Sequence, residues 1–313
     1  MKKISLFICL FILLMVVGCG SGGGDNDNTI THDGYSGLST QSYIDVDNAL
    51  TLTEGADLGL YGLYSLPKLL KKTVSLVMQK LQASPKSLFP YGETCINYPN
   101  GTTSDSLQQF GSGSIVTING NVDFDNCAFG EYVGSEVVIF DGTVSVSATY
   151  DTSAALMTMF EMTMSAIQAD YYEGSAPFNL IGRMAGSESY ADVSGYQVFD
   201  YTIEVTLNDV LGNSYWLNDY HIIDTFDENS FGTSTLFSGR YYDNEYGYVD
   251  FSTNEPIFVP DYPVSRTPYS GLVEYTGSDG SMATILIWGI YGDQCINGSN
   301  LSGDFVLGSC TLF

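Results

Sequence analysis

Apolar and polar residues alternate along much of the chain after Gly113, and this alternation predicts β-strands. In residues 143–150, every second residue is Val, Ala or Tyr, and the residues between them are Thr or Ser. A period of two places successive side chains on opposite faces of a strand, so that one face is apolar and the other is polar. The segment Thr202–Leu207 has the same pattern. We therefore expect strands that are buried on one face only.

Short polar turns between the alternating segments predict hairpins. Asn119-Gly120 and Asp141-Gly142 each separate two β-patterned segments, and these dipeptides favour two-residue hairpin turns. Two further hairpins are predicted from paired segments: Phe237–Tyr242 with Tyr246–Phe251, and Leu272–Thr276 with Met282–Ile287. Four closely spaced prolines predict a non-strand connector or a covered sheet edge: Pro256, Pro260, Pro263 and Pro268.

These segments together predict an all-β fold with one appended helix. Segments that are consecutive in sequence are expected to be neighbours in the sheet, which gives an antiparallel β-meander. About 10–12 strands are more than a flat sheet accommodates well. We therefore expect the meander to be curled into a partial barrel or divided into two packed layers.

A single segment, Ser65–Gln82, has helical periodicity. Its apolar residues recur three or four positions apart, and its lysines lie on the other side. Ser65 can cap the first turn, and Pro67 is tolerated there. We predict an amphipathic helix over residues 65–82 that packs on the sheet. A helix that lies on a membrane surface is the alternative.

The first 18 residues have the pattern of an export signal. Lys2 and Lys3 are followed by an uncharged apolar run, Ile4–Val17. This run is shorter than the about 20 residues that a membrane-spanning helix needs, but it fits the apolar region of a secretory signal peptide. The alternatives are an ordinary signal peptide or an uncleaved anchor.

The sequence Val16-Val17-Gly18-Cys19 resembles the lipobox of bacterial lipoprotein precursors. This resemblance implies that signal peptidase II cleaves between Gly18 and Cys19. It also implies that Cys19 carries a diacylglycerol on its sulfur and a fatty acyl chain, such as palmitate, on its amino group. The membrane partner would then be bound through this lipid.

The residue after Cys19 bears on the location. In Gram-negative lipoproteins, Asp at that position favours retention in the inner membrane, whereas this chain has Gly20. The resemblance therefore implies a lipid-anchored protein of the bacterial outer membrane, facing the periplasm or the cell surface. The exterior of a Gram-positive cell membrane is the alternative.

The chain behind the signal divides into two predicted parts. Residues 19–34 begin as a Gly-rich polar segment and are predicted to be a flexible acylated tether. Such a coil has an r.m.s. span of roughly 20 Å. Residues 35–313 are predicted to form a single β-rich domain that carries the 65–82 helix near its N-terminal end.

Four cysteines lie in the predicted domain: Cys95, Cys127, Cys295 and Cys310. An even number of cysteines in an exported chain predicts disulfides. Three connectivities are possible, and we favour the pairing of sequence neighbours, Cys95 with Cys127 and Cys295 with Cys310. Free thiols or a metal site are the alternatives. The chain has no Cys-x-x-Cys pair, so we expect no zinc site.

The chain is strongly acidic, with 36 Asp and Glu residues, 10 Lys and Arg residues and a formal net charge of −26. Removal of the signal takes away Lys2 and Lys3 and makes the chain more acidic still. A negative field of this size repels nucleic acid, which we therefore exclude as a partner. We expect the charge mainly to keep the protein soluble.

The sequence contains no pattern that identifies an active site. It lacks a Gly-x-Ser-x-Gly elbow, a phosphate-binding loop and a dinucleotide fingerprint. His32 lies in the predicted tether, and His221 is expected to be a structural or surface residue. Paired carboxylates are expected by chance among so many acids. We expect no metal or cofactor except the lipid on Cys19, with Ca²⁺ at oxygen-rich loops such as Asp243-Asn244-Glu245 as the alternative.

The overall organisation resembles that of uncharacterised envelope lipoproteins of Gram-negative bacteria. In those proteins a lipobox and a tether precede a β-meander with paired cysteines, and the resemblance implies no particular activity. We expect a non-enzymatic binding or surface protein whose partner is a protein, a glycan or a small ligand. The alternatives are a carrier of a hydrophobic ligand or lipid between helix and sheet, and a polysaccharide hydrolase.

Overall fold

The computed structural model describes the following residues: 29–32, 34–53, 55–56, 93–94, 102–129, 138–154, 156–170, 178–190, 196–227, 232–260, 269–289 and 293–308. Fifteen strands form one antiparallel sheet, and two more form a separate hairpin. The sheet is large and curved but is not a closed barrel. The predicted all-β meander is confirmed, and the described strands outnumber the predicted ones.

The strands follow one another in the sheet in chain order. The separate hairpin consists of β1 (Thr29–His32) and β2 (Tyr35–Leu38). The sheet contains β3 (Glu93–Thr94), β4 (Thr102–Asp105), β5 (Gln108–Phe110), β6 (Ile115–Phe129), β7 (Val138–Asp151), β8 (Leu156–Asp170), β9 (Phe178–Tyr190), β10 (Gln197–Asn208), β11 (Ser214–Asp227), β12 (Gly232–Asp243), β13 (Gly247–Pro260), β14 (Tyr269–Thr276), β15 (Met282–Gly289), β16 (Asp293–Asn300) and β17 (Gly303–Gly308).

One face of the sheet, here called the core face, carries a continuous apolar core. In β7 the alternate residues Val144, Val146, Ala148 and Tyr150 are buried, as their spacing predicts. The corresponding residues of β10 belong to the same core. The opposite face, here called the outer face, carries mainly polar side chains in β6 and β7. The period of two therefore correctly assigned the buried face.

The predicted turn at Asn119-Gly120 is wrong, because β6 runs through it without a break. Gly120 has a φ of +150°, and a Cβ on it would lie 2.6 Å from the carbonyl oxygen of Ser106. Gly120 therefore allows the β4–β5 connection to approach the strand closely. The Asn-Gly signal here reflects a close backbone contact and not a chain reversal.

The predicted turn at Asp141-Gly142 is also wrong, because both residues lie inside β7. The pairing of β7 with β8 slips between Asp141 and Val144, and the pairing of β6 with β7 slips between Phe124 and Cys127. Gly142 has a φ of +125° at this irregularity. A glycine at a bulge bends the strand without ending it.

The predicted non-strand connector at the prolines is wrong for its first part. Pro256 lies within β13, and Pro260 is its last residue. The pairing of β13 with β14 slips on both sides of Glu255, where a proline without an N–H group is tolerated. Pro263 and Pro268 lie outside the described residues. The two later predicted hairpins, β12–β13 and β14–β15, are confirmed.

A strap formed by residues 34–48 crosses the turns at one end of the sheet. This end, here called the upper rim, contains the turns 209–213, 244–246, 277–281 and 301–302. Tyr248 N donates to Thr40 O at 2.9 Å, and Ser278 N donates to Ser42 O at 2.7 Å. Asn300 Nδ2 donates to Ile44 O at 3.1 Å. The strap therefore joins hairpins that are far apart in sequence.

The strap leads into a short helical segment that packs on the core face. Residues 49–53 and 55–56 are helical, and Leu52 and Ala56 are buried in the main core. The helix predicted for Ser65–Gln82 lies outside the described residues. Within the described ranges, no helix has the length and apolar character needed to cross a membrane.

The predicted tether of residues 19–34 extends too far toward the C-terminus. Thr29–His32 form β1, which pairs with β2 in the register Thr29–Leu38 to His32–Tyr35. This hairpin packs on the outer face of the sheet, beside the upper rim. A strand therefore lies within the range that the sequence assigned to the tether.

Candidate functional site

The candidate site is the place where the β1–β2 hairpin lies on the outer face of the sheet. We call it the hairpin dock. Trp216 of β11, Tyr242 of β12 and Tyr248 of β13 occupy successive outward positions, because Trp216 pairs with Tyr242 and Tyr242 pairs with Tyr248. Tyr35 of β2 packs against them and is fully buried. The dock attaches the β1–β2 hairpin to the body of the sheet.

Aromatic ring contacts join the hairpin to the outer face of the sheet. Trp216 stacks on Tyr242 with ring centroids 4.5 Å apart, and the His32 ring centroid also lies 4.5 Å from that of Trp216. Tyr35 lies 5.9 Å from Trp216 and 5.8 Å from Tyr242. Each favourable aromatic pair adds about 0.5–1.5 kcal/mol beyond the buried area. The cluster therefore holds the hairpin by packing.

Hydrogen bonds fix the position of the hairpin along the sheet. Ser36 N donates to Ser214 Oγ at 3.1 Å, and Ser214 Oγ donates back to Ser36 O at 3.2 Å. Tyr35 Oη lies 3.1 Å from Leu38 O and 3.2 Å from Asp243 O, and donates to these carbonyls. These bonds join β2 to the β10–β11 and β12–β13 ends of the upper rim.

Glu204 contacts both His32 of β1 and Arg183 of β9. His32 Nε2 lies 2.9 Å from Glu204 Oε1, and Arg183 Nη2 lies 2.6 Å from Glu204 Oε2. The sequence placed His32 in the tether, and the structure instead places it on the hairpin, between Glu204 and Trp216. Because Arg183 is mostly exposed, its pair with Glu204 contributes little to stability.

Arg240 contacts the Tyr248 ring at the β13 side of the hairpin dock. Its guanidinium carbon lies 4.0 Å from the Tyr248 ring centroid, and Nε lies 2.7 Å from Asp250 Oδ1. Partial burial works to lower the pKa of Arg240, but hydrogen bonds to Asp250 and Tyr242 outweigh it and raise the pKa. Gln41 of the strap also donates to Asp250, at 3.4 Å. Arg240 thus stays charged and links the dock to the strap.

Two buried polar atoms under the hairpin have no hydrogen-bond partner within the described part of the chain. They are Thr206 Oγ1 and Trp216 Nε1, and Thr206 pairs with Trp216 across β10 and β11. An unsatisfied buried group costs about 1–3 kcal/mol. The indole of Trp216 therefore contributes through ring packing and not through its N–H group.

Asp243 organises the tyrosines on the core side of the same rim. It is 2% exposed, and its Oδ1 accepts hydrogen bonds from the backbone N–H groups of Glu245 and Tyr246 at 2.8 and 3.1 Å. Tyr241 Oη donates to its Oδ2 at 3.4 Å. Asp243 caps the β12–β13 turn and is not a solvated acid.

The Ca²⁺ alternative at Asp243-Asn244-Glu245 gains no support from these contacts. No group of three or more His, Cys, Asp or Glu residues that could hold a metal ion occurs in the described ranges. Asp123, another acid on an outward position, accepts from Thr143 Oγ1 at 2.6 Å. A role for Ca²⁺ stays a prediction.

Burial and neighbouring acids make three rim tyrosines harder to ionise. Burial, followed by the charge of Asp243, raises the pKa of Tyr35 and of Tyr241 well above the usual value. Burial, followed by Asp209 and Asp243, raises the pKa of Tyr215. A tyrosine in an unfolded chain ionises near pH 10, as an approximate reference value.

We expect the protein to unfold cooperatively in alkali. Above about pH 10, the unfolded chain releases phenolic protons that the folded protein retains, so the free energy of unfolding falls as the pH rises. Below that pH, this contribution is fully present. Phenolate absorbance at 295 nm should rise together with the loss of circular dichroism.

The same absorbance titration in concentrated denaturant is the control. There all tyrosines should ionise around pH 10 without a cooperative step. Complete phenolate formation by the folded protein, with its circular dichroism unchanged, would show that the rim tyrosines are not protected.

Two carboxylates, Glu188 and Asp224, lie on the core face of strands that flank β10. Phe199 of β10 pairs with Glu188 of β9 and with Asp224 of β11, so their Cα atoms lie about 10 Å apart. Met157 N donates to Glu188 at 2.8 Å, and Thr235 Oγ1 donates to Asp224 at 2.7 Å. The acids are 4% and 6% exposed. Their burial and hydrogen bonds are typical of structural acids and offer a substrate no access.

The other predicted residues lie in different places. His221 is on β11, is partly exposed and lies 2.7 Å from Asp200, which fits a surface role.

Cys127 of β6 and Cys295 of β16 are buried, and neither is a free thiol. Cys95 and Cys310 lie outside the described residues, so the pairing stays a prediction. Gly18 and Cys19 also lie outside them.

Sequence reasoning missed the hairpin dock as a site. The available signal was that Trp216 and Tyr242 are large aromatic residues at outward strand positions, where polar residues are expected if the face is open to water. No protein-family model, no curated protein and no solved structure matches this chain. The function must therefore be inferred from the chain's own residues.

Proposed function

We propose that this chain is a lipid-anchored protein of the bacterial envelope that presents a rigid β-body and acts by binding, without catalysis. The anchor is Cys19, exposed by cleavage after Gly18 and acylated. The location that follows from Gly20 is the outer membrane. The partner would be a protein, a glycan or a small ligand, bound by the polar surface of the sheet.

The observation that carries this proposal is the hairpin dock. Thr29 begins an ordered strand ten positions after Cys19. The hairpin is then held by the buried Tyr35, by Trp216 and by the reciprocal hydrogen bonds of Ser36 and Ser214. The dock is thus the contact that fixes the segment next to the proposed anchor to the β-body.

The burial and hydrogen bonding of the two core-face acids support a binding role over the hydrolase alternative. Glu188 and Asp224 are both buried, and both accept hydrogen bonds from within the protein. The outer face instead exposes polar side chains to solvent. There Thr143 bonds Asp123, and Ser145 bonds Asn121. The ligand-carrier alternative stays a prediction.

Metabolic labelling tests the anchor. Cells that express the chain are given an alkyne fatty acid, and the protein is isolated and coupled to a fluorescent azide. We expect the unchanged protein to be labelled and Cys19→Ala to lose the label, because the sulfur and the cleavage site are both removed.

Ser21→Ala is the matched control, since it changes a neighbouring residue and leaves the lipobox intact. It should be labelled as strongly as the unchanged protein. Equal labelling of the unchanged protein and Cys19→Ala would rule out the proposed anchor.

A further inference from the structure

We infer that the upper rim of the sheet rests on a zwitterionic lipid surface, with the turns 209–213 and 301–302 in contact with it. This inference rests on the proposed anchor at Cys19 and adds an orientation to it. The rim that faces the bilayer is the one crossed by the strap.

The three most exposed large apolar residues of the described chain lie in two turns of this rim. Leu211 is 85% exposed, Leu301 is 79% exposed and Val210 is 63% exposed. Val46 of the strap and Leu50 of the helical segment are 51% and 47% exposed. Single exposed apolar residues are common on proteins, and Phe110, Ile115 and Tyr190 at the opposite rim are each 50% exposed. Leu211, Leu301 and Val210 exceed them, and all three lie in turns of the upper rim.

The apolar residues are held in position by the turns that carry them. Leu211 N donates to Asp209 Oδ1 at 2.8 Å, and Asn213 N donates to the same oxygen at 2.8 Å. Leu301 N donates to Tyr43 Oη at 3.1 Å. The protein thus presents Leu211 and Leu301 to solvent on hydrogen-bonded turns, at two separate points of the rim.

The chain that leads to the anchor reaches the same rim. Thr29 pairs with Leu38, and Tyr35 bridges Leu38 O and Asp243 O at the β12–β13 turn. The ten positions from Cys19 to Thr29 span at most about 35 Å, even when fully extended. A lipid on Cys19 therefore keeps this rim close to the bilayer, whereas the opposite rim lies a strand length further away.

The negative charges on the rim favour contact with zwitterionic over anionic lipid headgroups. Asp45, Asp47, Asp209, Glu245 and Asp279 lie on the strap or in the rim turns. Anionic headgroups would repel these carboxylates, whereas choline and ethanolamine headgroups carry a cation that can approach them. Apolar side chains flanked by such acids fit the interface of a zwitterionic leaflet.

Site-specific fluorescence with the complete lipidated protein tests the orientation. Leu211→Cys, Leu301→Cys and Ser112→Cys are each labelled with the environment-sensitive dye NBD under non-reducing conditions. Ser112 is exposed and lies beside the start of β6, at the opposite rim. The unsubstituted protein is taken through the same labelling to measure any reaction of its own cysteines.

The labelled proteins are reconstituted into phosphatidylcholine vesicles with and without doxyl-labelled lipid. We expect the doxyl lipid to lower NBD emission about twofold at positions 211 and 301 and to leave position 112 nearly unchanged, because only the former reach the headgroup–acyl boundary. Addition of phosphatidylglycerol should weaken the quenching. Stronger quenching with phosphatidylglycerol would overturn the assignment of lipid class.

Flotation of the same vesicles separates the two proposals. Protein that fails to float with the vesicles contradicts the anchor itself. Protein that floats while positions 211 and 301 are quenched no more than position 112 retains the anchor and overturns the orientation.

Discussion

Gly182→Ala is expected to lower the free energy of unfolding by about 3–5 kcal/mol, among the largest effects of a single substitution in this protein. Gly182 lies in β9 with a φ of +148°, a conformation that residues with a side chain avoid. A Cβ on it would overlap Glu204 O and lie 2.7 Å from Val205 Cα. Because both atoms are backbone of the neighbouring strand, the sheet itself must move. Urea denaturation followed by circular dichroism measures the loss.

Gly212→Ala is the matched control for this prediction. Gly212 also has a positive φ, +91°, but no atom lies within 4 Å of a Cβ built on it. This variant should cost about 1 kcal/mol, from backbone strain alone. If the two variants are equally stable, the close approach of β9 and β10 at Gly182 is not what requires a glycine.

Phe160→Ala is expected to cost about 3–5 kcal/mol, because it leaves a cavity in the centre of the core. Phe160 of β8 is fully buried and stacks on Phe199 of β10, with ring centroids 5.3 Å apart. The sheet cannot close this space without bending strands that are paired on both sides. The variant should show a lower urea midpoint with an unchanged slope.

Met159→Ala is the control, since Met159 is the neighbouring residue on the opposite face. It is 55% exposed, so its truncation should change stability by no more than about 0.5 kcal/mol. A large loss in Met159→Ala together with a small loss in Phe160→Ala would mean that β8 is paired one residue out of register.

The expected stability losses for Phe160→Ala and Met159→Ala differ because alternate residues of a strand face the core and the solvent. Val144, Val146 and Ala148 face the core because successive side chains of a strand point to opposite faces. The meander order could be predicted as well, since consecutive segments joined by short turns pair with each other. The paired segments around Asp243 and around Ser278 were correctly predicted as hairpins on this ground.

The errors arose where one local signal has two physical causes. Glycine permits a tight turn, and it also permits another backbone to approach, as Ser106 approaches Gly120 inside β6. Pro256 breaks many strands but lies within β13, where the pairing is already irregular. Local sequence does not distinguish these cases, because the distinction depends on which distant backbone lies alongside.

The hairpin dock could be predicted only in part. Aromatic residues at the outward positions of Trp216 and Tyr242 indicate that something covers them. The covering residue, Tyr35, belongs to a hairpin whose hydrogen bond from Ser36 to Ser214 joins residues 178 positions apart. No pattern near either end indicates the other.

The sequence by itself determined the β-rich class, the apolar face of each well-patterned strand and the order of the meander, because these follow from covalent geometry and short connections. Only the tertiary structure decided which outward residues are covered, where the strap crosses the rim and which acids are buried. Those features depend on contacts between distant segments, and the free energy of such contacts is set by the whole fold. Leu211 and Leu301 are exposed in turns of the rim beside which the β1–β2 hairpin packs.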